Sequence, residues 1–155
     1  MPTVYMMIGL PGVGKSTWID KEIEGKNNFA VVSTDDFISE LGKLYGMTYN
    51  EIFDDITYSF AEKMMYKIAK KMIDEKKDIY WDQTNLTVKT RKRKLGLFPK
   101  DYKRVYVVFD IPEDHDKRLD RPGKIIPKHV LESMKNKYQE PSSNEGYDEI
   151  IYLNR

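Results

Sequence analysis

The fold of this chain is decided by one stretch near its start, Val4-Tyr5-Met6-Met7-Ile8-Gly9-Leu10-Pro11-Gly12-Val13-Gly14-Lys15-Ser16. It opens on a continuous apolar run, residues 4–8, which is typical of a strand buried on both faces. Residues 9–16 then match the pattern G-x-x-x-x-G-K-[ST] at every fixed position, and residues 17–23 have a helical pattern. Glycines at these positions let the backbone wrap an anion with inward-pointing N–H groups. The stretch therefore predicts a phosphate-binding loop between a strand and a helix.

This loop predicts that the chain binds a nucleoside triphosphate and Mg²⁺. We assign nucleotide binding to residues of the loop and of the helix start: Gly9, Gly12, Val13, Gly14, Lys15, Ser16 and Thr17. The helix N-terminus carries a partial positive charge that faces the same oxyanions. Lys15 is predicted to reach the β- and γ-phosphates and to act in catalysis, and the Ser16 hydroxyl is predicted to ligate magnesium.

Outward from the loop, short apolar runs alternate with helical patterns. Strands are predicted at residues 29–32, 79–81, 105–109 and 150–153, and helices at 48–76 (one or two), 87–95 and 128–138. In the long segment, Thr48 and Glu51 predict a capping box, and apolar residues recur at helical spacing: Ile52, Ile56, Phe60, Met64, Ile68 and Met72. The alternation predicts an α/β fold of the P-loop kinase type, with a parallel sheet of about five strands and helices on both faces. Residues 1–155 are predicted to form a single domain.

Composition narrows the classes of protein. The chain has no cysteine, which excludes a disulfide framework, a thiol nucleophile and a thiolate metal site. Its net charge is +1, from 26 basic and 25 acidic residues, so the overall charge does not indicate a nucleic-acid partner. The first apolar run ends at Ile8 and is too short for a signal peptide or a membrane span. We expect a soluble protein with no membrane partner.

Acidic residues follow the predicted strands, at the edge where a parallel sheet binds its ligands. A kinase needs an acid that accepts the proton of the acceptor hydroxyl, and we assign this role to Asp35, just past the second strand. The alternative for Asp35 is a helix N-cap, for which Asp36 is equally suited. Asp110 is either a second acid on the magnesium side or a residue that fixes the turn after its strand.

Two arginines, Arg118 and Arg121, form a candidate lid over the phosphates. They are three residues apart, so a helix would present them on one face, and the Pro122-Gly123 pair then ends it. Guanidinium groups can bridge phosphate oxygens in a transition state, and we assign both arginines to catalysis. The alternative is a solvated charged surface. A GTPase is disfavoured because the nearest match to its guanine-reading motif Asn-Lys-x-Asp lacks the final aspartate.

Taken in order, these motifs resemble the polynucleotide 5′-hydroxyl kinase family, in particular its bacteriophage-type kinase module. The matching segments are residues 8–18, 35–37, 82–86, 109–112, 126–134 and 140–150, so that the resemblance covers nearly the whole chain. It implies ATP-dependent transfer of the γ-phosphoryl group to a 5′-hydroxyl end of DNA or RNA, as in nucleic-acid end repair. It also implies that Asp82, Thr84 and Asn85 bind the acceptor or line the magnesium side, and that the protein is cytoplasmic, in a bacterial or phage-infected cell.

The chain departs from this family on the acceptor side. The phage-type module has arginines immediately before and three residues after its catalytic aspartate, where this chain has Thr34 and Ile38. A basic helical segment after Asp82 offers another way to hold nucleic acid, the alternative being a solvated helix face: Lys89, Arg91, Lys92, Arg93 and Lys94. Two rival functions stay open. One is a P-loop kinase that phosphorylates a small-molecule hydroxyl, and the other is a nucleotide-binding module without catalysis.

Overall fold

Five parallel strands form the single sheet of the computed structural model, which describes residues 1–55, 58–120 and 125–155. In chain order the strands are β1 (Thr3–Ile8), β2 (Phe29–Val32), β3 (Asp78–Trp81), β4 (Lys103–Phe109) and β5 (Glu149–Leu153). In the sheet their order is β2-β3-β1-β4-β5, and every pairing is parallel. The predicted α/β fold with its parallel sheet is thereby confirmed.

Helices connect the strands, as a parallel sheet requires. They are α1 (Lys15–Glu22), α2 (Thr34–Tyr45), α3 (Tyr49–Asp55), α4 (Tyr58–Asp74), α5 (Val88–Leu95), α6 (His115–Leu119) and α7 (Lys128–Lys137), with a short 3₁₀ turn at Ser143–Glu145. The predicted segment 48–76 thus contains α3 and α4. In the described part of the chain, none of these helices is long and apolar enough to cross a membrane.

Side chains of the central strand alternate between two apolar layers, because successive strand residues point to opposite faces. Val4, Met6 and Ile8 of β1 pack on one face, in a layer that α4 and α5 complete with Met65, Ala69, Ile73 and Leu95. Met7 packs on the other face with Ile19 of α1. Burial on both faces is the reason that β1 has a continuous apolar sequence.

The apolar stripe of α4 that faces the core is not the series of residues that the sequence shows at helical spacing. The residues that are buried are Ala61, Met65, Ala69 and Ile73, whereas Phe60 is 51% exposed and Ile68 is 45% exposed. The series at Phe60, Met64, Ile68 and Met72 has helical spacing but lies one position before the stripe that faces the core. Two residues of the stripe are alanines, whose small side chains allow the helix to approach the sheet closely. A sequence pattern read from the large apolar residues does not reveal this approach. Ile56 lies outside the described residues.

Candidate active site

The phosphate loop has the conformation that its glycines predict. Gly12 and Gly14 have φ angles of 76° and 105°, in the left-handed region that side chains with a Cβ rarely adopt. The Lys15 side chain is 9% exposed, and its Nζ donates to the carbonyl oxygens of Gly9 at 2.8 Å and Leu10 at 2.7 Å. Loop backbone and lysine therefore lie together at the N-terminus of α1, which is an arrangement that fits a nucleotide's phosphate groups.

A cavity of about 870 Å³ adjoins this loop and contains most of the predicted site. Its lining includes the predicted residues Gly12, Val13, Gly14, Lys15, Ser16, Thr17, Asp35, Asp82 and Arg118. Gly9 has another role, because its N–H donates to the Thr84 carbonyl at 3.0 Å and ties the loop to the segment after β3. The cavity lies at the carboxyl ends of the strands, where open α/β sheets bind ligands.

Ser16 and Asp82 form the part of the cavity that fits magnesium. The Ser16 Oγ donates to Asp82 Oδ2 at 2.8 Å, so that a hydroxyl and a carboxylate oxygen meet beside the phosphate loop. Mg²⁺ prefers oxygen ligands and is often bound by one or two protein groups together with substrate phosphates. The donor set therefore suits the magnesium ion of an ATP complex.

Asp35 and Asp36 both lie in the first turn of α2 and both line the cavity. The sequence left open whether one of them caps this helix, and neither does. Ser33 is the N-cap, and its side chain accepts a hydrogen bond from the Asp36 N–H at 3.2 Å. The Asp35 carboxylate accepts a hydrogen bond from the Tyr49 hydroxyl at 2.7 Å. Asp35 thus lines the same cavity as the phosphate loop, and its role as the base stays a prediction.

Arg118 extends from α6 over the phosphate loop. A Cβ built on Gly14 would lie 3.5 Å from Arg118 Nη1, while Arg118 Nε pairs with Asp114 at 2.8 Å. Two further residues hold α6 in place: His115 Nε2 donates to the Pro11 carbonyl at 2.8 Å, and Leu119 packs against Gly12. The sequence offered no signal for His115, because an isolated histidine carries no spacing pattern. Arg121 lies outside the described residues, so its predicted role stays a prediction.

Asn85, predicted to bind the acceptor, is buried and is not among the residues that line the cavity. Its side chain is 2% exposed, and Nδ2 donates to the Met7 carbonyl at 2.7 Å. Thr84 contributes its carbonyl to the phosphate loop, and no contact of its hydroxyl indicates an acceptor site in the described structure. The polar groups of this segment are therefore used to join it to β1 and the loop, since a buried amide must be hydrogen-bonded.

A buried lysine is hydrogen-bonded to side chains of the segment that follows β3. Lys94 of α5 is 4% exposed, donates to Asn85 Oδ1 and, at 2.6 Å, to Gln83 Oε1, and lies over the Trp81 ring. Arg91, one turn earlier, is fully buried and pairs with Glu145 at 2.8 Å. Two members of the basic helix are therefore internal, and the proposal that this helix holds nucleic acid is left with Lys89, Lys92 and Arg93 on its exposed face.

Burial of Lys94 gives a pH-dependent stability that can be measured. Burial lowers the pKa of Lys94 from 10.5 to about 7. Between these values the unfolded chain binds one proton more than the fold does, so that stability rises with pH. We expect the free energy of unfolding to increase by about 2 kcal/mol between pH 7 and pH 9 from this group alone.

The measurement is urea denaturation at several pH values in this range. Lys94→Met should flatten the rise, whereas Lys92→Met, on the exposed face of the same helix, should keep it. Equal slopes for the two variants would contradict a neutral Lys94 in the fold.

Residues at the end of β5 complete the cavity, and the sequence did not indicate them. Asn154 lines the cavity, and its Nδ2 donates at 3.0 Å to the carbonyls of both Val13 and Asp110. Asp110 itself accepts hydrogen bonds from the Arg155 side chain. These contacts join Asp110 to the end of β5, and Asp110 is not among the residues that line the cavity, so neither role considered for it is supported by them.

Comparison with known proteins gives a family and a fold. A family model described as an AAA domain matches residues 4–141. The human heterogeneous nuclear ribonucleoprotein U-like protein 2 (Homo sapiens) is 26% identical over 158 residues, which cover 96% of this chain and 21% of that protein. This chain thus spans about a fifth of the length of the curated relatives it matches.

Solved structures with this fold include kinases of several kinds. A putative kinase from Chloroflexus aurantiacus has a TM-score of 0.67 at 15% identity, over 98% of this chain and 84% of that one. A chain of the Pnkp1/Rnl/Hen1 RNA repair complex has a TM-score of 0.65 at 24% identity, over 88% of this chain and 43% of that one. Shikimate kinase from Aquifex aeolicus has a TM-score of 0.56 at 18% identity, over 97% of this chain and 86% of that one. The family match over residues 4–141 and the phosphate loop within it show that this chain belongs to the AAA domain family, with the fold of the P-loop kinases.

Proposed function

We propose that this protein transfers the γ-phosphoryl group of ATP to a 5′-hydroxyl end of DNA or RNA. The observation that carries the proposal is one cavity in which a phosphate loop, a hydroxyl–carboxylate pair for magnesium and a further carboxylate, Asp35, meet. A phosphotransferase needs these groups together, whereas a binding module has no use for an acid on the acceptor side.

The proposed reaction is a displacement at the γ-phosphorus. Asp35 accepts the proton of the acceptor hydroxyl, whose oxygen forms the new bond to phosphorus while the bond to the leaving ADP oxygen breaks. Lys15 and the loop amides bind the phosphate oxygens, and Arg118 stabilises the charge on the transferring group. Ser16 and Asp82 would hold magnesium, which would further neutralise the phosphate charge when bound.

Two considerations support a nucleic-acid acceptor. The ordered motifs of the chain resemble polynucleotide 5′-hydroxyl kinases, from the phosphate loop to the segment 140–150. Proteins with this fold also include a component of an RNA repair complex and a fungal RNA kinase. These similarities are the reason that we propose a nucleic-acid end as the acceptor. The labelling experiment below tests this choice of substrate.

A small-molecule hydroxyl is the second candidate acceptor, and one observation favours it. Thr34 and Ile38 stand where the phage-type module has arginines, and they are 1% and 0% exposed, so neither faces the acceptor. Arg91 and Lys94 are internal as well. Among the described residues, Lys21 and Arg118 at the cavity and the exposed face of α5 offer cations that could bind nucleic-acid phosphates.

The deciding experiment is a labelling assay with γ-labelled ATP and magnesium. Acceptors are 5′-hydroxyl oligonucleotides, as single- and double-stranded DNA and RNA, and in parallel a panel of sugars, nucleosides and shikimate. Label on oligonucleotide ends, lost on ends that already carry a 5′-phosphate, supports the proposal. Label on a small molecule alone favours the second candidate, and ATP binding without any transfer contradicts both.

Removal of the Arg118 guanidinium should reduce turnover more than nucleotide binding. We expect Arg118→Ala to lower kcat by about 10²-fold, because it deletes a charged donor to the transferring phosphoryl group, with an ATP KM that changes only a few-fold. The measurement is steady-state kinetics of transfer, with Lys117→Ala on the same helix as control. Equal losses in kcat and in ATP affinity would contradict a role in the transition state.

A further inference from the structure

The Tyr49 hydroxyl makes a direct contact with the proposed base. It donates a hydrogen bond of 2.7 Å to Asp35 Oδ1, across a separation of 14 residues in the sequence. Asp35 lies in the first turn of α2, whereas Tyr49 is the first residue of α3, so the contact joins two helices. An exposed aspartate ordinarily rotates among several side-chain torsions, and a hydrogen bond to one oxygen restricts that rotation.

The tyrosine ring is itself held by its surroundings. It is half-buried against an apolar cluster centred on Ile38, Ile52 and Ala61. Its ring also stacks on that of Phe53, one turn later in α3, with centroids 6.0 Å apart and planes 21° apart. The hydroxyl is therefore fixed at one end of a packed ring, which makes it a rigid donor.

The turn that brings α3 back to α2 depends on close backbone contacts. The Met47 N–H donates to the Gly42 carbonyl at 2.8 Å, and a Cβ on Gly42 would lie 2.6 Å from the Met47 carbonyl oxygen. The capping box predicted from the sequence closes the start of α3, because Thr48 N donates to Glu51 Oε1 at 2.9 Å and Glu51 N donates to Thr48 Oγ1 at 3.3 Å. The position of Tyr49 is thus determined by this turn.

We propose that Tyr49 is a positioning residue for Asp35: its hydroxyl holds the carboxylate in the orientation in which it accepts the proton of the acceptor. This inference rests on the proposed function, since it assigns Tyr49 a role through the proposed base. Tyr49 is not among the residues that line the cavity beside the phosphate loop, so we expect its effect on the reaction to pass through Asp35. Catalytic geometry is demanding, and a displacement of about 1 Å can cost about 10²-fold in rate.

The test is Tyr49→Phe, which removes the hydroxyl and keeps the ring with its stacking. We expect kcat for transfer to fall by about 10-fold or more, the scale of one hydrogen bond to a charged group, with an unchanged ATP KM and an unchanged midpoint of thermal unfolding. Tyr45→Phe, on an exposed tyrosine at the end of α2, is the matched control and should keep full activity.

A double-variant cycle separates positioning from a structural role. In an Asp35→Asn background Tyr49→Phe should cause no further loss of the residual rate, whereas in an Arg118→Ala background the two losses should multiply. Wild-type kcat in Tyr49→Phe, or losses that multiply with Asp35→Asn, would overturn the inference while the proposed function stands. Full activity of Asp35→Asn would overturn the proposed base and, with it, the role of Tyr49.

Discussion

Asp35→Asn is expected to lower kcat for phosphoryl transfer by roughly 10²–10⁴-fold, which is the usual contribution of a general base. The substitution keeps the shape of the side chain and an oxygen that can accept the Tyr49 hydrogen bond, but an amide cannot take up the proton of the acceptor. ATP binding should change little, because the phosphate loop is untouched. Single-turnover labelling together with a nucleotide-binding measurement gives both quantities.

Asp36→Asn is the natural comparison, since the two acids are adjacent and both line the cavity. Only the N–H of Asp36 takes part in the helix cap, and this backbone contact survives the substitution. We expect its loss to be at least an order of magnitude smaller than that of Asp35→Asn. A larger loss for Asp36→Asn would exchange the roles of the two acids, and no loss for either would remove the catalytic mechanism.

Glu145→Gln is expected to destabilise the fold by about 3–5 kcal/mol, because it leaves the buried charge of Arg91 without its partner. The side chains of Arg91 and Glu145 are both 0% exposed and joined by two hydrogen bonds, of 2.8 and 3.1 Å. The carboxylate also accepts from the Tyr106 hydroxyl at 3.0 Å and from Ser142 N at 2.7 Å. Urea denaturation of the variant and the wild type at neutral pH measures the difference.

Two controls define what this loss means. Glu149→Gln breaks the pair with Lys103, whose side chains are both 46% exposed, and should cost far less than Glu145→Gln because solvent screens an exposed ion pair. A double variant, Arg91→Met with Glu145→Leu, removes both buried charges and should recover most of the stability that Glu145→Gln loses. Equal losses of unfolding free energy in Glu145→Gln and Glu149→Gln would show that the buried pair matters no more for stability than the exposed one.

The same carboxylate contributes to acid sensitivity. Burial raises the pKa of Glu145, but the hydrogen bonds from Arg91, Ser142 and Tyr106 outweigh it and hold the pKa below its ordinary value of 4.5. A lowered pKa in the fold means that this stabilisation is present above the unfolded pKa and is lost as the pH falls through the folded one.

The fold could be predicted because its signals are local. The apolar run of β1 indicates a strand that is buried on both faces, and the glycines of residues 9–16 indicate a left-handed backbone. Neither signal depends on a distant residue. Asp35 and Asp82 could be placed on one cavity for a related reason, since parallel strands end at the same edge of a sheet. The argument fails at Asn85, where the sequence shows an amide near that edge but not the direction in which it points.

Sequence alone thus determined the phosphate loop, the parallel sheet and the edge at which the acids gather. Only the tertiary structure decided which charges are internal and which apolar face of α4 is buried. Arg91 and Lys94 belong to a run of basic residues that is equally typical of a solvated helix, so the sequence does not show that they are buried. Glu145, the partner of Arg91, is 54 residues away along the chain. Likewise, His115 and Tyr49 acquire their roles from contacts with Pro11 and Asp35. Such contacts depend on how helices pack against the sheet, and packing joins residues whose separation along the chain carries no periodic pattern.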